Sequence, residues 1–247
     1  MRRFCLFLAF ISIASNPTVF AQSKPANPYY SRLNTFGVFA AYSNDSSHIL
    51  LGDVEQRRLL EFGFSYSRRL LQNGKVNWQY NAELLPVALE SDPRVTSVET
   101  FTSPFQTIFT NTYAPIGACH ADSGSFNQTV NGVTTSYTYV DTCSRQWTIG
   151  EAMSPVGLQW NFLPRRKTQP FVDAHGGYMY STQPIPIQGA GNFNFTFDLG
   201  VGLEFYRSKT RSIRAEYRYH HISNHDTAAQ NPGIDNGLFQ VTYAFGR

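Results

Sequence analysis

The chain has 247 residues, of which 15% are charged and another 15% are aromatic, and its formal net charge is only +3. This length is sufficient for one domain with a sizeable core, but so few charges with so many rings are not typical of a soluble domain. The positive charges are spread along the chain, which argues against a nucleic-acid partner.

The first 21 residues predict a secretory signal peptide. Two arginines follow the initiating methionine, the run 4–14 is apolar, and residues 19–21 have the pattern of a small-residue cleavage site. The apolar run is too short for an ordinary membrane-spanning helix, and an anchor that is never cleaved is the alternative. We therefore expect an exported protein with a single domain over residues 22–247.

Eight segments of the mature chain alternate apolar and polar residues with a period of two, which is the pattern of β-strands. The clearest is the segment 193–205, in which all seven odd-numbered positions are apolar. Four of them are phenylalanine, two are leucine and one is valine. In chain order the predicted strands are 36–42, 60–66, 76–84, 156–162, 172–180, 193–205, 213–219 and 239–245.

The connections between these strands alternate in length. Asn73-Gly74 marks a tight hairpin turn, and the segments 165–168 and 207–212 are short and basic. The other connections are longer, and the longest extends from about residue 91 to residue 151. This combination predicts an all-β, eight-stranded antiparallel transmembrane β-barrel with short periplasmic turns and one long extracellular loop.

The polar face of the strands is rich in charge, while aromatic residues near the strand ends on the other face fit interfacial girdles. Parity alone does not say which face points outward, and a soluble lipid-binding barrel of the lipocalin kind has its apolar face inside. The charged residues of the polar face can pair with one another inside a narrow barrel, which favours a membrane barrel over a soluble one. These residues are Glu61, Glu83, Asp173, Asp198, Glu204, Arg214, Glu216 and Arg218.

The cysteines predict one disulfide. Cys5 lies inside the predicted signal peptide and is lost with it, which leaves Cys119 and Cys143, both in the long loop. An even number of cysteines in an exported chain favours a disulfide over two free thiols. Such a bridge reduces the disorder of the loop.

Candidate catalytic residues lie late in the chain. His221 and Ser223 are two residues apart, so a strand places them on one face, which the barrel turns toward lipid. Polar groups on that face are costly without a role. Asp235 begins the next strand within reach of His221, and completes the hydroxyl, imidazole and carboxylate of a serine esterase. Asn224 is a candidate donor to an oxyanion.

Each of these residues also has a simpler interpretation. A His-x-Ser pair by itself is common, and Asp235 is equally suited to a turn or a strand start. His220 has the opposite parity and is expected to be a hydrogen-bonded histidine of the interior. His225 and Asp226 are expected to be polar loop residues rather than metal ligands.

The segment from Tyr217 to Leu238 resembles the lipid A 3-O-deacylase family, whose members are eight-stranded outer-membrane barrels with a His-x-Ser-Asn motif. The resemblance implies that Ser223 is the nucleophile, His221 the general base and Asn224 an oxyanion-hole contributor. The family's acid falls on Asp235, where the best-known members have Glu. The long loop with its cysteines is a second departure from the family pattern.

The resemblance also implies a function. The expected protein is a bacterial outer-membrane esterase that removes an ester-linked acyl chain, most directly by 3-O-deacylation, from the lipid A of lipopolysaccharide. Acyl transfer of this kind needs no metal or organic cofactor. Either a monomer or a homodimer is compatible with the sequence. The alternative is a small non-enzymatic barrel with a structural or adhesive role, which leaves the His-x-Ser-Asn motif and its acid without an explanation.

Overall fold

The computed structural model describes residues 28–102 and 105–247, so the predicted signal peptide and Cys5 lie outside the described residues. Within these ranges no helix is long and apolar enough to cross a bilayer. The described strands are β1 (Asn34–Ser43), β2 (Arg58–Gln72), β3 (Val76–Thr102), β4 (Gln106–Tyr113), β5 (Asp122–Val130), β6 (Val133–Phe162), β7 (Thr168–Ser181), β8 (Phe193–Tyr206), β9 (Arg211–Ser223) and β10 (Ile234–Gly246).

Eight of these strands close into a ring. The order of hydrogen-bonded neighbours is β1-β2-β3-β6-β7-β8-β9-β10, each pair is antiparallel, and β10 pairs back to β1. Each of the eight segments predicted from the sequence lies within a different strand of this ring. The prediction of an all-β, eight-stranded antiparallel barrel is therefore confirmed.

The charged face of the strands points into the barrel. All eight charged residues of the predicted polar face are at most 4% exposed, whereas Phe64 and Val201 on the other face are 54% and 60% exposed. Inside, Arg218 binds both carboxylate oxygens of Glu83 at 2.7 and 2.8 Å, and such pairing offsets the cost of burying charge. The apolar face is thus outside, as a barrel in lipid requires and opposite to the lipocalin arrangement.

The two ends of the barrel differ as predicted. The short connections β2–β3, β6–β7 and β8–β9 lie at one end together with both ends of the ring, where the Leu33 N–H donates to the Arg247 carbonyl at 2.9 Å. In the first of these turns, Asn73 Oδ1 accepts hydrogen bonds from the N–H groups of Lys75 and Val76, both at 2.8 Å. The longer connections all lie at the opposite, extracellular end.

The segment 91–151 is mostly strand, and the expectation of one long loop is wrong. β3 continues to Thr102 and pairs with β6 as far as Ser136, while β4 and β5 add to the outer edges of this pair. The four strands form a sheet that extends beyond the ring. The register set within the barrel continues into this extension, and its many threonine, valine and tyrosine residues favour extended backbone.

A cluster of apolar side chains fills the interior at the extracellular end. It joins the β1–β2 connection through Val54 and the β7–β8 connection through Ile185 to the ends of β9 and β10, where Ile222 and Ile234 point inward. All four side chains are 0% exposed. The loops at this end are therefore packed onto the barrel, and the last residues of β9 are held from the inside.

Cys119 and Cys143 form a disulfide in the structure. Cys119 belongs to the connection between β4 and β5, and Cys143 is a residue of β6. The bridge thus ties an exposed connection of the extension to a strand that continues into the barrel.

We predict that peptides containing Cys119 and Cys143 will be recovered linked when the unreduced protein is digested and analysed by mass spectrometry. Replacing both cysteines with serine removes a constraint of about 3 kcal/mol on the unfolded loop. Limited proteolysis should then cut the segment 114–121 faster, while the ring of strands stays resistant. Two free thiols in protein purified without reductant would contradict this prediction.

Candidate active site

His221 and Ser223 lie on the outer face of β9 at its extracellular end. On the neighbouring strand β8, Phe197 stands opposite His221 and Phe195 opposite Ser223. Ile222 lies between them, points inward and is completely buried. The structure therefore has the shared face that the sequence predicted, and Ile222 anchors it to the apolar cluster below.

Asp235 is the second residue of β10 and the cross-strand partner of His221. Its Oδ1 lies 2.7 Å from Nδ1 of His221 and accepts a second hydrogen bond from the Tyr219 hydroxyl at 2.8 Å. An ionised carboxylate at this position favours the imidazole tautomer with hydrogen on Nδ1. The other ring nitrogen, Nε2, is then free to accept a proton.

The β1–β2 connection, residues 44–57, supplies the rest of the environment of Asp235. The backbone N–H groups of Leu50 and Leu51 donate to Oδ2 at 2.7 and 2.8 Å. Asp235 is on the outer face of the barrel but is 0% exposed, because this connection covers it. Four hydrogen-bond donors thus surround the carboxylate and stabilise its charged form.

Sequence reasoning missed these contacts, although Gly52 is a signal for them. A Cβ atom at Gly52 would lie 2.5 Å from the backbone nitrogen of Asp235 and 2.9 Å from its Cγ. Only glycine permits so close an approach of two backbones. A lone glycine in a polar stretch does not reveal which distant residue it approaches, so the sequence alone could not identify the partner.

Ser223 is the last residue of β9 and is partly exposed. Among the described residues, the imidazole of His221 is hydrogen-bonded to Asp235 and not to this hydroxyl. Contacts between a nucleophile and its base are often long in the absence of substrate and shorten in the complex. The structure thus brings His221 and Asp235 into contact and places Ser223 beside them on the same face.

The side chain of Asn224, the candidate donor to an oxyanion, is hydrogen-bonded to the backbone of two loops. Its side-chain nitrogen donates to the carbonyl oxygens of Ala190 and Gln230, both at 2.6 Å, and its backbone N–H donates to Oδ1 of Asn231 at 3.0 Å. Both hydrogens of the amide are used to join the β7–β8 and β9–β10 connections. Donation to an oxyanion requires that one of these bonds be exchanged.

His220 points into the barrel, where its Nδ1 contacts Asp198. The residue is 5% exposed. This agrees with the interior position expected from its parity. His225 is an exposed residue of the β9–β10 connection, and its ring packs edge-on against Phe195, with 6.3 Å between the ring centroids.

The fold and the site together define a class of protein: a β-barrel with an apolar outer wall that carries histidine, aspartate and serine side chains at its extracellular rim. The model of the lipid A 3-O-deacylase (PagL) family matches residues 120–244. This range is just over half of the chain and includes His221, Ser223 and Asp235. The chain therefore belongs to the lipid A 3-O-deacylase family, and membership supports a lipid A deacylase located in the outer membrane.

The chain is also similar to solved outer-membrane barrels. The crystal structure of the outer membrane enzyme PagL is 13% identical over 85% of this chain and 99% of that one, with a TM-score of 0.47. Neisserial surface protein A is 10% identical over 87% and 97%, with a TM-score of 0.43. OprG from Pseudomonas aeruginosa is 10% identical over 89% and 99%, with a TM-score of 0.40. The comparison with curated protein sequences finds no match.

The contacts of Asn224 lead to a prediction about stability. Asn224→Ala should lower the free energy of unfolding by about 1–3 kcal/mol, because the buried carbonyl oxygen of Ala190 and the partly buried one of Gln230 lose their donor. Urea titration monitored by the shift between folded and unfolded gel mobility would measure this change. Asn127→Ala, at an exposed position of β5, is the control and should leave stability unchanged. Unchanged stability in Asn224→Ala would show that the amide does not hold the two connections together.

Proposed function

We propose that this protein is an outer-membrane serine esterase that hydrolyses an ester-linked acyl chain of lipid A, with the 3-position as the site implied by its family. The observation that carries the proposal is the contact between His221 and Asp235 on the outer face of the barrel, with Ser223 beside it. Export through the predicted signal peptide, residues 1–21, is part of the same proposal.

In this proposal Ser223 is the nucleophile and His221 the general base. Nε2 of His221 takes the proton from the Ser223 hydroxyl as its oxygen attacks the ester carbonyl, and the protonated imidazole then gives that proton to the leaving sugar oxygen. Water enters, loses a proton to the same nitrogen and attacks the acyl-serine ester. The fatty acid leaves and the serine hydroxyl is restored.

Asp235 orients the imidazole in this scheme and stabilises its positive charge. Its own four donors hold the carboxylate in place, so little reorganisation is needed when the imidazolium forms. Asn224 has two proposed roles. It keeps the chain beyond Ser223 in place through its two carbonyl partners, and it donates to the oxyanion when one of those partners is exchanged.

The position of the site fits a substrate that stays in the membrane. The residues around it on the outer wall are aromatic and exposed: Phe197 by 41%, Tyr217 by 51% and Phe239 by 54%. An acyl chain of a lipid in the outer leaflet can therefore lie against the wall while its ester group reaches the rim. The lipid does not need to leave the bilayer, which would expose its apolar chains to water.

The triad assignment is tested by substitutions with matched controls. Ser223→Ala and His221→Asn should each reduce deacylation of lipid A by about three orders of magnitude or more, since the nucleophile is lost or is no longer activated. Asp235→Asn should reduce it by about two to four orders of magnitude, because the imidazole loses its orienting charge. Mass spectrometry of lipid A incubated with each folded variant measures the product.

The controls are Ser125→Ala and His120→Ala, which change the same residue types at exposed positions of the extension. Both should retain full activity. A folded Ser223→Ala protein that still removes the acyl chain would show that the serine-esterase mechanism is wrong.

A second test concerns the support of Asp235 by the β1–β2 connection. Gly52→Ala should reduce kcat by about tenfold or more, because the new methyl group would collide with the backbone of Asp235 and displace the triad acid. Gly74→Ala is the matched control, since a Cβ there meets nothing within 4 Å. Equal activity of the two variants would contradict the idea that this connection positions the acid.

A further inference from the structure

Three consecutive apolar residues are exposed near the middle of the β1–β2 connection. Ile49 is 44%, Leu50 73% and Leu51 64% exposed. We call residues 49–51 the loop tip. A group of large apolar side chains left open in this way marks a surface that contacts lipid or a partner.

The loop tip is presented by an ordered backbone. Ser46 Oγ accepts from the Arg57 N–H and donates to the carbonyl of Val54, both at 2.9 Å, which closes the base of the loop. The Asp53 N–H donates to the carbonyl of Pro232 at 2.7 Å. Because Val54 is also completely buried, the loop cannot fold its apolar tip inward without breaking these contacts.

The loop tip lies on the lipid-facing side of the barrel. The N–H groups of Leu50 and Leu51 donate to Asp235 on the outer face of β10. The neighbouring strand β9 carries His221 and Ser223 on the same outer face. The base of the loop is polar by contrast, with His48 Nε2 3.4 Å from Glu55 Oε1. A polar base and an apolar tip match the boundary between lipid headgroups and acyl chains.

We propose that the loop tip is an acyl-chain docking element, which packs against a fatty acyl chain of the lipid substrate beside the ester. The inference rests on the proposed function, because it places a lipid ester at Ser223. The occupant is an acyl chain because the tip continues the apolar outer wall at the point where the triad lies. The same two residues then have two tasks: their side chains hold the lipid and their N–H groups hold the triad acid.

The two tasks can be separated by mutation. Leu50→Ser with Leu51→Ser removes the apolar side chains but keeps both N–H groups that bind Asp235. The matched control is Leu70→Ser with Leu71→Ser, a second pair of adjacent leucines that are 52% and 58% exposed at the periplasmic end of β2. Activity is measured on lipid A in mixed micelles and on p-nitrophenyl acetate, a short ester dissolved in water.

We expect the loop-tip variant to raise KM for lipid A by about tenfold, since apolar contact with the chain is lost, and to change turnover of p-nitrophenyl acetate by a much smaller factor. The control variant should match the wild type on both esters. Equal losses on both esters would overturn the inference, since the triad itself would then be damaged. Light scattering in detergent compares the mass of the loop-tip variant with that of the wild type. A wild-type dimer that becomes a monomer in the variant would also overturn the inference, because the occupant of the loop tip would then be a second copy of the chain.

Ser223→Ala, assayed in parallel, separates this inference from the proposed function. If Ser223→Ala is inactive while the loop-tip variant has wild-type kinetics on lipid A, the docking element is refuted and the esterase proposal stands. If Ser223→Ala is active on lipid A, the esterase proposal fails and the inference fails with it.

Discussion

The closed hydrogen-bonded ring of strands is the constraint from which the rest of the structure follows. In hydrocarbon every backbone N–H and C=O must be paired within the protein, and a ring of strands achieves this without leaving an edge. Alternation along each strand then sends charge inward and apolar side chains outward. His221 and Ser223 have outward parity, so a polar site is placed on the lipid-facing wall. It can exist there because it lies at the rim, where extracellular connections cover part of it.

The cover provided by the β1–β2 connection also accounts for an aspartate at position 235, the proposed triad acid. Asp235 has the shorter of the two acidic side chains, and its carboxylate stays close to β10. The backbone of Leu50 and Leu51 comes to meet it, and Gly52 permits the approach. A glutamate would carry the carboxylate one methylene further, into the space that this backbone occupies. The length of the side chain at position 235 is thus matched to the backbone that surrounds it.

The ring and the pairing of His221 with Asp235 could be predicted from the sequence. Both depend on the alternation of residues within a strand and on the pairing of strands that follow one another in the chain. Period two identifies the strands, and antiparallel neighbours joined by one connection bring the end of β9 next to the start of β10. The extension was missed because its strands lack a clear division into apolar and polar faces, as in the run Thr138-Tyr139-Val140-Asp141. The contacts of Asn224 and of Leu50 with other loops are set by tertiary packing, which no spacing in the sequence reports.

In the proposed function, the β1–β2 connection links the ester chemistry to the membrane through one short stretch of backbone. Its N–H groups stabilise the charge of Asp235, and its side chains extend toward lipid from the same residues. An apolar loop tip exposed to water would tend to turn inward. The hydrogen bonds of Ser46 and Asp53 and the burial of Val54 prevent this. The exposed side chains are therefore a consequence of how Asp235 is held. An environment of acyl chains removes the cost of exposing these side chains, so the geometry that supports the proposed triad is most favourable where lipid is present.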